Sequence, residues 1–231
     1  MYEQHIIIDF EMNPVSSKNR DVRKELRNEI IEIGAVKLDR YNRIVDRFSC
    51  LIKPQYNEEI TCFITKLTGI KTGHVKKAYD LENAINEFSS WIGDSKARIY
   101  SWSDTDLYQL QAECAYKKLS IPSNMKRWMD FQAIYPRVMQ LDTKKKMSLS
   151  EAAQWFGVEV DKRKAHRALY DAEITAELVI PVLTGEYKKQ LDLLRGAEDK
   201  EEDCGFTIGD ACGAILLKFM EIEKRELQCA R

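Results

Sequence analysis

The sequence lacks long apolar segments. Among its 231 residues no apolar run approaches the roughly 20 residues that a membrane-spanning helix needs. It also lacks a basic region followed by an apolar core at its N-terminus, so we expect no secretory signal. No internal repeat is present. These absences disfavour membrane, secreted and repeat proteins.

Paired cysteines are missing as well. The six cysteines are scattered singly, with no C-x-x-C pair and no histidine at ligand spacing. This pattern argues against a structural zinc site and against a disulfide framework. We therefore expect reduced thiols in a cytoplasmic protein at Cys50, Cys62, Cys114, Cys204, Cys212 and Cys229.

An excess of positive charge is also absent, because 36 Lys and Arg residues face 37 Asp and Glu residues. The net charge of −1 gives no global signature of nucleic-acid binding. A polyanionic ligand would have to be bound by local basic clusters, which occur at 71–77, 144–146 and 162–164. A run of like charges is usually a solvated surface, and that alternative stays open for the first two clusters.

What the sequence does contain is a set of strand-like segments followed by helical periodicity. Strands are predicted at 5–11, 29–38, 43–53 and 97–102, and 13–28 is predicted to be a loop with a short helix. Helices are predicted at 61–67, 81–92, 106–119, 131–139, 148–156 and 165–183. Short links between the first three strands favour an antiparallel meander, and the whole pattern predicts an α/β domain over residues 1–185.

The composition changes after Gly185. Residues 186–205 contain an acidic run and resemble a linker, and 206–231 carry apolar residues on one helical stripe. This tail is too small to fold alone. We expect a C-terminal helical extension that packs on the main domain, on a second copy of the chain or on a protein partner.

Two acids close the first predicted strand. Asp9 and Glu11 are two residues apart, so both carboxylates face the same side of a strand. Two like charges beside an apolar strand repel each other and lose hydration, a cost that a bound divalent cation relieves. Oxygen ligands suit Mg²⁺ or Mn²⁺. The alternative is a strand end that carries two ordinary surface acids.

Further acids follow later elements. Asp104 and Asp106 lie where a predicted strand passes into a helix, and His166 precedes Asp171 by five residues at the entry to the last long helix. Strand-end crevices of α/β sheets commonly hold ligands. Taken singly, Asp106 is more typical of a helix N-cap, and His166 of a surface or hydrogen-bonded core histidine. Four carboxylates in this order are harder to obtain by chance.

These segments resemble a known family. Ile7–Met12, Glu29–Val36, Cys62–Ile70 and His166–Ala172 are similar to segments of the DEDDh 3′–5′ exonucleases of the RNase H-like fold. The resemblance is strongest to the subgroup of histone-mRNA and small-RNA 3′-exoribonucleases and bacterial KapD-type sporulation inhibitors, and it covers Tyr2–Gly185. It implies a mixed sheet, antiparallel over its first three strands and then parallel, flanked by helices.

The resemblance also implies roles for single residues. By position, two Mg²⁺ or Mn²⁺ ions would be bound by Asp9, Glu11, Asp106 and Asp171. His166 would be the general base of hydrolysis. Asp104 is an alternative third acid, but Asp106 is preferred because Leu110 follows it by one helical turn, as in the family.

The implied substrate is a single-stranded nucleic acid with a free 3′ end, RNA favoured over DNA. Expected substrate contacts are Phe10, Met12, Leu67, Ile70 and Arg167. Core packing is the alternative for Phe10 and Leu67. The other readings left open are a proofreading-type or short-oligonucleotide DNA exonuclease, and a non-catalytic module that binds RNA or protein.

Overall fold

A computed structural model describes residues 2–141, 146–189, 191 and 192. The chain divides into two compact units, residues 1–184 and 185–231. Most of the predicted acidic linker and the whole predicted helical tail at 206–231 lie outside the described residues. Within the described part of the chain, every helix is too short or too polar to span a lipid bilayer.

One five-stranded sheet forms the centre of the first unit. The strands are β1 (Gln4–Pro14), β2 (Asn28–Asp39), β3 (Ile44–Leu51), β4 (Ala97–Ser101) and β5 (Trp128–Asp130). Their order is β3-β2-β1-β4-β5; β1 pairs antiparallel with β2 and β2 with β3, whereas β4 pairs parallel with β1 and β5. The predicted mixed sheet is therefore confirmed.

Eight helices flank this sheet in the described residues. They are α1 (Arg20–Glu25), α2 (Cys62–Thr68), α3 (Thr72–Val75), α4 (Leu81–Ile92), α5 (Thr105–Lys117), α6 (Phe131–Val138), α7 (Leu149–Phe156) and α8 (Ala168–Thr184). A 3₁₀ turn occupies Ser123–Met125. The short elements β5 and α3 were not predicted, because three or four residues are too few to show a period.

The two faces of the sheet have different partners. On one face Ile6, Ile8 and Phe10 of β1 belong to a core that includes buried residues of α4 and α5. Alternation along the strand turns Ile7, Asp9 and Glu11 to the opposite face. That face meets α8, which contacts both β1 and β2. The acids of β1 thus point toward the last helix of the domain.

Close packing brings α8 down onto β2. A Cβ atom on Gly34 would lie 2.0 Å from the backbone nitrogen of Leu169, so only glycine fits there. Ala168, Ala172 and Ala176 are fully buried at a spacing of one helical turn. Small side chains let a helix approach a sheet closely. Gly34 pairs directly with Asp9 across the strands, so this contact lies beside the first acid.

Candidate active site

The first two acids lie where β1 passes a β-bulge. Glu11 pairs with Glu32, but Met12 pairs with Ile30, so β2 has one extra residue at this point. Bulges redirect neighbouring side chains and are common beside active sites. Glu11 is 8% exposed and Asp9 is half-buried. Both carboxylates are therefore largely removed from water.

Asp106 joins them from the first turn of α5. Its side chain is buried, and its Oδ1 accepts a hydrogen bond from the backbone N–H of Phe10 at 3.0 Å. The pairing of β4 with β1 ends at Ile7, which leaves the Phe10 N–H to this carboxylate. Asp104 instead occupies the N-cap position of α5, with its side chain 39% exposed and 3.8 Å from Lys146 Nζ. This geometry supports Asp106 as the third acid.

His166 and Asp171 come from the entry to α8. His166 lies before the helix, exposed, with a φ of 62°, and its backbone N–H donates to Asp171 Oδ2 at 3.1 Å. The Asp171 N–H in turn donates to the Arg167 carbonyl at 2.9 Å. One ligand atom each of Glu11, His166 and Asp171 lies within 4.8 Å of the others. Elements more than 150 residues apart in the sequence thus meet at one point.

Burial and mutual repulsion raise the pKa values of the four acids. Burial, and then the charges of Asp106 and Asp171, raise the pKa of Asp9 well above its usual range. Burial and the charge of Asp171 raise the pKa of Glu11 to about 8, and burial raises the pKa of Asp106 to about 7. Burial also raises the pKa of Asp171.

The raised pKa values have burial as their largest cause, with repulsion between the acids adding to it. Hard divalent cations bind to such clusters of carboxylate oxygens, and their charge removes the repulsion. The donor set of Asp9, Glu11, Asp106 and Asp171 therefore fits divalent metal ions such as Mg²⁺ or Mn²⁺.

Sequence reasoning missed Glu32. This residue is fully buried in β2 directly opposite Glu11, and its carboxylate pairs with Arg167, the neighbour of His166. The Arg167 guanidinium donates from Nη2 at 2.6 Å and from Nε at 3.1 Å. The available signal was an acid inside the apolar run Ile30–Ile33, a position where an unpaired charge is costly. Arg167 was expected to contact a phosphate, and in the structure its half-exposed side chain pairs with Glu32.

The other expected substrate contacts differ in how far their side chains are exposed to solvent. Phe10 and Ile70 are 5% and 1% exposed, so their side chains serve the core rather than a surface, as the packing alternative for Phe10 held. Met12 is half-buried against the same core. Leu67 is 37% exposed on α2. One turn away on that helix, Phe63 is 70% exposed, a residue that the sequence reasoning did not select.

A comparison with protein families shows to which family the chain is related. Residues 6–179 match the exonuclease family RNase T. The chain belongs to this family. The predicted kinship with 3′–5′ exonucleases is confirmed.

Relatives of known kind include ERI1 exoribonuclease 2 of Mus musculus, 31% identical over 77% of this chain and 28% of the relative. The Danio rerio protein of the same name is 32% identical over 78% of this chain and 35% of its own length. The PolC-type DNA polymerase III of Bacillus subtilis is 28% identical over 81% of this chain and 12% of the polymerase. The chain thus spans about a third or less of the length of these relatives.

Solved structures show the same fold. The nuclease domain of 3′hExo, a DEDDh family member bound to rAMP, has a TM-score of 0.69 at 24% identity, covering 80% of this chain and 93% of that one. E. coli exonuclease I in complex with a dT13 oligonucleotide has a TM-score of 0.61 at 12% identity, covering 88% of this chain and 46% of that one.

Proposed function

We propose that this chain is a metal-dependent exonuclease that removes nucleoside monophosphates from the 3′ end of single-stranded nucleic acid, preferably RNA. The observation that carries the proposal is one group of side chains where the first turns of α5 and α8 meet β1, four carboxylates with an exposed histidine beside them. Its members are Asp9, Glu11, Asp106, Asp171 and His166. A module that only binds nucleic acid has no use for such a costly cluster.

Each residue has a distinct task in this proposal. The four carboxylates would hold two divalent ions, which supply charge stabilisation to the attacking and leaving oxygens of an in-line displacement. His166 accepts the proton of the attacking water at a ring nitrogen, the general-base role that histidine fills more often than any other side chain. Asp171 fixes the histidine backbone through the N–H of residue 166. Four carboxylates balance the charge of two divalent ions.

The RNA preference is supported by the relatives, since the mouse protein is named an exoribonuclease. The terminal base has an apolar surface available on α2, where Phe63 and Leu67 are exposed one turn apart. Aromatic and aliphatic side chains stack on bases without regard to sequence. Residues 162–164, exposed and just before His166, are a basic cluster for backbone phosphates.

A 5′-labelled single-stranded RNA and its DNA counterpart test the reaction, each with Mg²⁺, Mn²⁺ or EDTA. We expect a ladder that shortens from the 3′ end, depends on metal and disappears in Asp9→Asn. The matched control is Asp94→Asn, which changes an exposed acid in a loop. Binding without cleavage in the wild-type chain would instead favour a non-catalytic module.

DNA is the second candidate substrate. The similarity to PolC-type DNA polymerases favours it, because that relationship extends over 81% of this chain. The ratio of RNA to DNA cleavage in the same assay chooses between the two, and a strand with a single terminal 2′-deoxynucleotide shows whether the terminal 2′-hydroxyl matters.

A cytoplasmic location and a dimer or protein partner bound through residues 206–231 remain parts of the proposal. They are supported by the single, scattered positions of the cysteines in the sequence and by the apolar stripe of that segment. Deleting the residues after Gly196 and measuring the oligomeric state in solution tests the partner role. An unchanged number of chains per particle together with unchanged activity would remove a dimer role for this segment.

A further inference from the structure

Glu32 makes a concentrated set of contacts to the entry of α8. Its Oε1 accepts from Arg167 Nη2, and its Oε2 accepts from Arg167 Nε and from the backbone N–H of Ala168 at 3.1 Å. Three donors from two consecutive residues therefore converge on one carboxylate. The Ala168 N–H belongs to the first turn of the helix, where donors lack partners within the helix and negative charge is favoured. Glu32 thus caps α8 from a neighbouring strand.

The charge of Glu32 needs this arrangement. Glu32 is fully buried and lies across the strands from Glu11, so it is a fifth carboxylate beside the four proposed metal ligands. Arg167 supplies the opposite charge in a bidentate pair. Both oxygens of Glu32 accept hydrogen bonds from Arg167 or Ala168, which separates this residue from the four carboxylates proposed to hold the ions. The pair anchors the chain without adding net charge to the site.

The anchored residue stands next to the proposed general base. His166 adopts a left-handed backbone with a φ of 62°, which is uncommon for a residue other than glycine. Such a backbone persists only when its surroundings hold it in place. On one side it is held by the bond from its N–H to Asp171, and on the other side by the anchoring of Arg167.

We propose that Glu32 is a positioning residue that, through Arg167 and the first turn of α8, sets where His166 and Asp171 stand relative to the acids of β1. This inference rests on the proposed function of the same site and assigns that role to a residue outside the metal-ligand set. Glu32 does not touch the reacting atoms. It acts by placing His166 and Asp171, the groups that are proposed to take part in the reaction.

The test compares Glu32→Gln and Arg167→Met with a matched control, Glu29→Gln. Glu29 is also fully buried in β2 and also accepts backbone N–H bonds, from Gln55, Tyr56 and Asn57. It lies on the part of β2 that pairs with Asn13, beyond the β-bulge. Both glutamine substitutions keep side-chain size and remove one buried negative charge. Glu113→Gln is a second control, on α5.

Two readouts separate positioning from stability. We expect Glu32→Gln and Arg167→Met to lower kcat by about 10-fold or more with KM little changed, as losses of groups that orient ligands do. We expect amide hydrogen exchange of residues 166–171 to accelerate in both variants and to stay unchanged in Glu29→Gln. The double variant should be no slower than Glu32→Gln alone, because the two residues act as one pair.

Other outcomes overturn the inference. Unchanged exchange at 166–171 in a folded Glu32→Gln protein would mean that the carboxylate does not hold this segment. Equal losses of kcat in Glu29→Gln and Glu32→Gln, after correction for the folded fraction, would reduce its role to general stability. Failure of the proposed function is recognised separately, by wild-type protein that cleaves neither RNA nor DNA, and the exchange measurement still decides the placement of α8.

Discussion

Asp106 is positioned by the backbone of β1 as much as by its own helix. The Phe10 N–H fixes one oxygen of this buried carboxylate, while Asp104, two residues earlier, stays at the surface. We expect Asp106→Asn to abolish metal-dependent cleavage, because a neutral amide binds divalent ions poorly, and Asp104→Asn to retain it. Rates of strand shortening measured at saturating Mg²⁺ check this, and an inactive Asp104→Asn protein would reverse the assignment of the third acid.

The same substitution should stabilise the metal-free protein. Burial raises the pKa of Asp106 to about 7, so ionising this side chain above neutral pH opposes folding. Asparagine still accepts the Phe10 N–H without the charge. In EDTA at pH 8 we expect Asp106→Asn to gain on the order of 2 kcal/mol, since one pKa unit corresponds to about 1.4 kcal/mol. Urea unfolding of both proteins in EDTA measures the gain, and a loss of stability would show that the carboxylate has a compensating cation in the protein.

His166 contributes to its surroundings through its backbone and to the proposed reaction through its ring. His166→Ala keeps the backbone N–H that bonds Asp171, so the fold and metal binding should persist. We expect kcat to fall about 10²-fold or more, the usual size of a general-base contribution. Single-turnover cleavage and Mn²⁺ titration check the two parts. His74→Ala, at another exposed histidine, is the control and should leave kcat unchanged.

At the scale of elements, the site depends on how closely α8 approaches β2. A Cβ on Gly34 would meet the backbone of Ala168 and Leu169 at 2.1 and 2.0 Å. Backbone cannot move aside as a flexible side chain does, so we expect Gly34→Ala to lose about 1–3 kcal/mol, the usual cost of overpacking. It should also lower activity by displacing Asp171.

Gly73→Ala is the matched control for this prediction. An added Cβ there meets nothing within 4 Å, and the residue lies in the helix α3. Alanine in a helix is neutral or stabilising relative to glycine. Thermal unfolding and cleavage rates of both variants give the comparison. Equal stability of Gly34→Ala and wild type would show that α8 can shift without cost.

The elements that a sequence reveals are those with enough residues to show a period. The run Ile6–Ile8 is enough to predict β1. The reciprocal hydrogen bonds of Ser148 and Glu151 at the start of α7 confirm the predicted helix start. The sequence pattern also selected the five residues of the proposed site. It could not show that Phe10 points away from the site or that Glu32 holds Arg167, because both depend on strand register and on a contact between distant elements.

At the scale of the whole molecule, the cluster of acids couples folding to pH. In the native state the pKa of Glu11 is raised to about 8 from an ordinary value of 4.5, and that of Asp106 to about 7 from 3.8. At a pH between the ordinary and the raised pKa of each acid, the metal-free native protein binds more protons than the unfolded chain. Stability then falls as pH rises, because the native state must release protons that it holds more tightly. The stabilising contribution is complete below about pH 4 and is lost as pH passes through about 7 to 8.

This linkage predicts opposite behaviour with and without metal. In EDTA we expect the free energy of unfolding to decrease from pH 5 to pH 8. With millimolar Mg²⁺ or Mn²⁺ the decrease should vanish or reverse, because ions that bind only the native acids add stability as RT ln(1 + [metal]/Kd) and compete best when protons are scarce. Urea unfolding across this pH range, with and without metal, measures both curves. Asp106→Asn should flatten the EDTA curve, since it removes one of the groups that titrate. Parallel curves would mean that the acids do not form a metal site, whatever the family to which the chain belongs.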